Sequence, residues 1–453
     1  MTVAGQAQRL TGWGRTAGTV ATVVRPRSAQ EVADLLALPA GRGTIARGAG
    51  RSYGDAAQSA GGTVLDLTGL APDLRIDPAT GLVTVAAGVL LDRLLRDLVP
   101  LGWFVPVSPG TRFVTVGGAI ASDVHGKDHH VRGSFCSHVT SLRLALPGGE
   151  LRHITPDSDP ALFWATAGGM GLTGVVVEAT FQCVPIATSR VRVDTERADD
   201  LDDVMDRMTS GDAAYRYSVA WVDLVARGRH LGRSVLTRGN PAAVEELPGA
   251  LRDDPLAYDP QVRLAVPSRV PAALLNPLTV RAFNELWFRK APRRREGELQ
   301  TIAAFFHPLD GLRGWNALYG PRGFVQYQFV LPDGQEPALR AVVERLSAAG
   351  SASFLAVLKR LGAADPGPLS FPLPGWTLAL DIPAGSPGLP GLLSSLDEAV
   401  VAAGGRVYLS KDAVLTPRRL AQMYPRLPEW REVRDRVDPG GVLRSDLSRR
   451  LGL

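Results

Sequence analysis

Arg47-Gly-Ala-Gly-Arg-Ser-Tyr-Gly-Asp55 sets three glycines and two arginines between two runs with strand character. Glycine lets a backbone turn through positive φ and brings its N–H groups close to a ligand. Consecutive N–H groups in such a turn form a concave nest for an anion, and Arg47 and Arg51 add charge beside it. The stretch reads as a loop that holds a phosphate or pyrophosphate. Taken alone, an ordinary glycine-rich turn with solvated arginines fits it equally well.

The flanks read as alternating short strands and helices. Ser28 is placed to cap a helix reaching residue 38, with Val32, Leu35 and Leu36 at apolar spacing. Residues 63–67 and 82–87 carry strand formers on either side of the polar segment 68–81. Leucines at 90, 91, 94, 95 and 98 mark one helix face. Residues 142–146 and 150–154 read as a hairpin about Pro147-Gly148-Gly149, and 175–183 as a strand. Beyond Arg192 the strands 215–224, 324–331, 354–358 and 376–382, with helices near 338–349 and 390–403, predict a second, α+β unit. Segment 254–283 is rich in proline and apolar residues and reads as one long loop, a lid over an apolar ligand or a patch resting on lipid. The basic run from Arg289 to Arg295 reads as a solvated charge run or as a contact for phosphate head groups.

The length, 453 residues, implies about two or three domains. A net charge of +5 without long basic tails argues against nucleic acid as a partner. Of 50 basic residues only Lys127, Lys290, Lys359 and Lys411 are lysines. A lysine kept in an arginine-rich chain suggests a job that needs a compact ammonium or an amine able to lose its proton; chance retention suits Lys290, which sits in a basic run. Cys136 and Cys183 form no close-spaced motif and read as buried free thiols. The first fifteen residues lack the apolar core of a cleavable signal peptide, and no apolar stretch is long enough to span a bilayer, so membrane association is expected to be peripheral.

Two further glycine clusters follow. In Pro109-Gly-Thr-Arg-Phe-Val-Thr-Val-Gly-Gly-Ala-Ile-Ala-Ser-Asp-Val-His-Gly126, Thr115 can cap a helix against whose small residues a cofactor lies. Gly169–Gly174 formally matches G-x-G-x-x-G, but a helix precedes it and a strand follows, the reverse of the dinucleotide-fold order. His125, His129 and His130 crowd together; Gly126 argues against the helix that a metal-binding i, i+4 pair needs, so no metal is expected. Gln326 and Gln328 share one strand face, suited to sugar hydroxyls or simply exposed. Lys411 follows a strand-like run, where burial would depress its pKa and make it a base.

Three glycine clusters in this order, with Ser-Tyr-Gly-Asp55 and Asp-Val-His-Gly126, resemble the vanillyl-alcohol-oxidase (PCMH-type) FAD-binding superfamily. Within it the chain is most similar to the decaprenylphosphoryl-β-D-ribose 2′-oxidase family. Leu10-Thr-Gly-Trp-Gly-Arg-Thr16, Leu369-Ser-Phe-Pro-Leu-Pro-Gly-Trp376 and Met423-Tyr-Pro-Arg426 extend the likeness over essentially the whole chain.

The resemblance implies an α+β, two-domain protein. Residues 1–188, completed by 406–453, would hold non-covalent FAD, and 189–405 would form a substrate domain on an antiparallel sheet. For the cofactor it implies Ala46, Arg47, Gly48, Ala49, Gly50, Arg51, Ser52, Tyr53, Gly54 and Asp55 in the first loop. It adds Gly110, Thr115, Val116, Gly117 and Gly118 in the second, then Ser122, Asp123, Val124 and His125, with Val176 and Tyr408 completing the site. Lys127, Trp221, Gln326, Gln328, Lys359 and Lys411 would line the substrate pocket. The implied reaction is oxidation of a polyprenylphosphoryl-ribose at the 2′-hydroxyl to the keto sugar, with Lys411 as first choice of base and Tyr53 and His125 near the ring. An NAD(P)H-dependent keto-reductase would complete the epimerisation to the arabinose donor of the cell wall. The family places the protein at the cell envelope; the N-terminus, without an export signal, leaves the cytoplasm open.

The chain departs from the pattern. Arg51 stands where many superfamily members carry a flavin-linking histidine, and Ala379 where some relatives carry a reactive cysteine. Val219, Phe306 and Thr377 stand where relatives often have polar residues. Two other readings stay open on sequence: a soluble alditol or aldonolactone oxidase that uses oxygen, and a non-catalytic flavin- or phosphate-binding protein.

Overall fold

The computed structural model describes residues 5–39, 41–262, 264–267, 276–350 and 353–453. Its architecture is α+β, built on three main sheets.

The first sheet has the order Gln6–Leu10, Thr19–Val24, Thr63–Asp66, Thr44–Arg47. Its last three strands are parallel, so Thr44–Arg47 delivers the first glycine loop at a sheet end. The second sheet is antiparallel, in the order Leu74–Ile76, Leu82–Ala86, Val175–Gln182, Val139–Ala145, Leu151–Ile154. Ser28 caps Ala29–Leu36 by accepting from the Glu31 N–H, and the leucine face of Leu91–Leu98 is buried. Within the polar segment 68–81 the short strand Leu74–Ile76 appears, paired to Leu82–Ala86.

The third sheet has eight antiparallel strands: Arg294–Thr301, Arg190–Ala198, Ser234–Pro241, Tyr217–Val222, Ala356–Leu361, Gly375–Pro383, Phe324–Pro332 and Arg406–Val407. Alternation along each strand gives it two different faces. One packs on helices: Arg238 donates to the Arg207 carbonyl of Leu201–Gly211, and the Tyr327 hydroxyl donates to Asp397 of Leu389–Ala402 at 2.8 Å. The opposite face carries Thr237, Gln326 and Gln328 and looks into a cavity. The sequence pattern finds the central strands and misses Arg190–Ala198, Ser234–Pro241 and Arg294–Thr301. The last of these is a largely exposed edge strand with no apolar alternation.

Segment 254–283 is not one loop. Its first part packs back on the chain, with the Ala257 carbonyl accepting from Ser189 Oγ at 2.7 Å and that of Pro260 from Arg96 at 2.9 Å. Its last part begins the helix Pro277–Lys290, capped by Asn276. Residues 263 and 268–275 lie outside the described residues. The basic run is an exposed, ion-paired one, with Arg289 on Glu285, Arg294 on Glu296 and Arg295 on Glu298.

The C-terminal segment returns to the first loop. The Tyr53 N–H donates to the Ser410 carbonyl at 2.9 Å, and a Cβ on Gly54 would meet the Asp412 carbonyl oxygen at 2.0 Å. Arg450 bridges Asp55 at 2.8 Å and the buried Asp412 at 2.9 Å. Removing one partner leaves the buried Asp412 carboxylate uncompensated, which costs about 3–5 kcal/mol for a fully buried pair; with Arg450 itself a quarter exposed, Arg450→Ala is expected to cost less than that, read as a lower urea midpoint of the flavin-loaded protein.

Candidate active site

The three glycine clusters, the cavity face of the eight-stranded sheet and the C-terminal segment enclose one cavity of about 730 Å³. That is ample for a cofactor and a substrate head group together.

Its cofactor end is shaped by missing side chains. A Cβ on Gly48 would lie 2.1 Å from Thr115 Oγ1, so the first loop closes on the second only as glycine, and one on Gly117 would lie 2.9 Å from the Cβ of Ala87, which follows the strand Leu82–Ala86. Gly110 faces open space. Thr115 caps Val116–Ala121 by accepting from the Gly118 N–H. Arg51 lies over the Trp13 ring at 3.9 Å, its Nε buried without a partner, and burial lowers its pKa.

Ala46, Gly48, Ala49, Gly50, Arg51, Ser52 and Tyr53 line the cavity, as do Gly110, Thr115, Gly117, Gly118, Ser122, Val124, His125, Val176 and Tyr408. Five residues expected beside them have other work. Arg47 donates inward to the Ala57 and Thr11 carbonyls, so its charge is spent holding the loop. Gly54 and Asp55 meet the C-terminal segment, and Val116 is core. Asp123, wholly buried with φ +39°, accepts from Ser134 Oγ, Ser370 Oγ and the Cys136 N–H, and so fixes the turn that carries His125.

His125 Nε2 lies 2.8 Å from Gln328 Nε2. Thr377 donates its hydroxyl hydrogen to the Phe329 carbonyl at 2.8 Å and accepts from Gln328 at 3.2 Å. This orients the amide as donor to both neighbours and leaves the imidazole proton on Nδ1, a buried atom without a protein partner. Burial, then Lys359, His129 and Lys411, hold the His125 pKa well below its usual value, so the ring is neutral.

All four lysines of the chain line this cavity, along with Trp221, Gln326 and Gln328. Lys127 donates to the Phe305 carbonyl and lies 4.3 Å over that ring; Lys411 lies 3.9 Å over Tyr53. Burial brings Lys127 to about 7, helped by Lys359. It brings Lys411 to about 7 against the opposing pull of Asp381, and Lys359 to about 8 against that of Asp128. Among the described residues none of these three pairs with a carboxylate. Burial keeps Tyr53 a phenol. Asp381, accepting from Gln326 at 2.5 Å and Tyr319 at 3.0 Å, is pushed up to about 7 by burial.

Residues 20–155 match the family described as FAD binding domain, and 392–451 match D-arabinono-1,4-lactone oxidase. The decaprenylphosphoryl-β-D-ribose oxidase of Mycolicibacterium smegmatis is 44% identical over 98% of both chains. The chain belongs to the decaprenylphosphoryl-β-D-ribose oxidase family. An uncharacterized Streptomyces coelicolor protein is 45% identical over 81% of this chain and all of its own length. An L-gulono-1,4-lactone dehydrogenase of Mycobacterium tuberculosis is 33% identical over 37% of this chain and 38% of its own. The cofactor of this family member is FAD, and the glycine cradle and the unpartnered Arg51 and His125 nitrogens fit it.

Sequence reasoning missed Asp381 and the cavity-facing Val235 and Thr237, which carry no local signal, and gave no role to Trp13 although it lies in the signature stretch Leu10–Thr16. Lys290 had one, the scarcity of lysine, and its basic neighbours masked it.

The contact at Gly48 makes a sharp test. Gly48→Ala must displace Thr115 and with it the helix cap, and FAD content of the purified protein is expected to fall at least about tenfold.

Proposed function

We propose that the chain oxidises the 2′-hydroxyl of a polyprenylphosphoryl-β-D-ribose to the 2′-keto sugar, the first half of an epimerisation toward the arabinose donor of cell-wall arabinan. The observation that carries this reading is the set of three half-buried lysines, without carboxylate partners among the described residues, that line the cavity the flavin loops share. A phosphodiester supplies the missing counter-charge; a neutral lactone does not. The relative matched over 98% of its length has a phosphorylated ribose in its name, whereas the lactone dehydrogenase aligns over 37% of this chain and the D-arabinono-1,4-lactone oxidase family model over residues 392–451.

Bound FAD supplies the two-electron acceptor, held non-covalently because Arg51 offers no linking nucleophile. Lys127 and Lys359 hold the phosphate as ammonium groups. Lys411, a free amine above pH about 7, takes the hydroxyl proton, with the Tyr53 phenol beneath it. Neutral His125 and Gln328 orient the ring and sugar. Residues 1–188 with 406–453 serve as the cofactor unit and 189–405 as the substrate unit. A keto-reductase acting with NAD(P)H consumes the product. The protein sits peripherally on the envelope membrane. Among the described residues no helix is long and apolar enough to cross a membrane, and Pro277–Lys290 exposes Leu278, Phe283, Leu286 and Trp287.

Anaerobic addition of polyprenylphosphoryl-ribose is expected to bleach the flavin absorbance. A yellow protein that this sugar leaves unbleached refutes the substrate. The pH dependence has a definite sign. The base form of Lys411 grows as pH rises through about 7, while Lys127 and Lys359 lose the charge that binds phosphate near 7 and 8. kcat/KM therefore follows a narrow bell on the neutral side of alkaline. Lys411→Met is expected to remove the ascending limb and lower the rate by about 10²–10⁴-fold; a variant that reduces as fast as the parent refutes the base.

A further inference from the structure

The cavity does not end at the lysines. Strand register continues it as a straight row across the sheet: Gln328 pairs with Ala379, Ala379 with Val357, Val357 with Trp221, and Trp221 with Val235. Four strand-to-strand steps at about 4.8 Å carry this row roughly 19 Å from the head-group end. Thr237, Thr195, Glu298 and Gln300 line the cavity beside and beyond the end of the row, while every member of the row after Gln328 is apolar. Each faces the cavity rather than the helices behind the sheet, since the alternate positions, such as Leu236 and Leu358, are core. At the far end Trp287 and Lys290, on the last turn of Pro277–Lys290, form the rim. That is the helix whose outer side exposes Leu278 and Leu286, 79% and 67% accessible.

We propose that this row is a binding track for the first isoprene units of the substrate's lipid, which leaves the protein past Trp287. The inference rests on the reading of the head group as a ribosyl phosphodiester and adds what the chain does with its tail. A sugar phosphate alone would fill the lysine end and leave an apolar strip wet. A linear hydrocarbon on the phosphate covers that strip and emerges where the apolar helix face meets its surroundings. Because the strip is built of four side chains on four different strands, it grips by area rather than by shape. It therefore selects for a chain of sufficient length, not for one particular isoprenoid.

The test compares methyl, geranyl and farnesyl esters of β-ribofuranosyl phosphate by anaerobic flavin bleaching. In the parent protein kcat/KM is expected to rise at least about tenfold from methyl to farnesyl, since burying about two methylenes is already enough for that. Two variants act on the track. Val235→Phe fills it within the sheet, and Trp287→Ala opens its rim at a half-exposed position that the fold tolerates. The readout is the farnesyl-to-methyl ratio within each protein, which cancels any general loss of activity or folded fraction. A ratio falling toward one in either variant supports the track. A parent with no preference for farnesyl over methyl, or both variants keeping the parent's ratio, overturns it. If no ester bleaches the parent, the head-group reading itself fails, and the track fails with it.

Discussion

Three lysine amines gathered half-buried in one cavity, with no carboxylate paired to them among the described residues, set the terms for everything around them. An isolated buried charge costs several kcal/mol after relaxation. The chain does not offset this with acids. Instead the amines drop toward neutrality, and the nearest opposite charges, Asp128 and Asp381, act only at longer range. A site in this condition is incomplete without an anion. The same deficit that makes Lys127 and Lys359 receptive to a phosphate makes Lys411 a base near neutral pH, so binding and proton transfer draw on one electrostatic arrangement.

That arrangement needs the two ends of the chain to meet. The loop 47–55 and the segment 408–412 are joined by the Tyr53–Ser410 backbone hydrogen bond, the close seat of Gly54 on Asp412 and the Arg450 bridge. Lys411 thereby comes to lie over Tyr53, a residue 358 positions earlier in the chain. Glycine matters here for proximity more than for turning. At Gly48 and Gly54 a side chain would occupy space already filled by Thr115 or by the Asp412 carbonyl.

The eight-stranded sheet then supplies contrast between its faces. Its helix-covered side is ordinary core, with Tyr327 tied to Asp397. Its cavity side grades from amides and ammonium groups at Gln326, Gln328 and Lys359 to an apolar strip ending at Val235. Register runs unbroken across five strands, so a ligand with a charged head and a greasy tail can follow this one row in order, with Thr237, Thr195, Glu298 and Gln300 lining the cavity beside and beyond it.

The sequence alone determined what is local or compositional. Glycine spacing announced the cofactor loops, leucine periodicity the helix at 91–98, strand alternation the shared face of Gln326 and Gln328, and lysine scarcity the pocket cations, because each signal is written within a few residues or in a count. Only the tertiary structure decided where those groups point and what they meet. It turned Arg47 and Asp123 inward, drew Lys290 to the cavity rim and, among the described residues of 254–283, showed a packed stretch at its start and a helix at its end. It also revealed Asp381, Trp13 and Val235 as part of the site. Those outcomes depend on contacts between residues tens to hundreds of positions apart, on burial and on sheet register, none of which a period or a motif encodes.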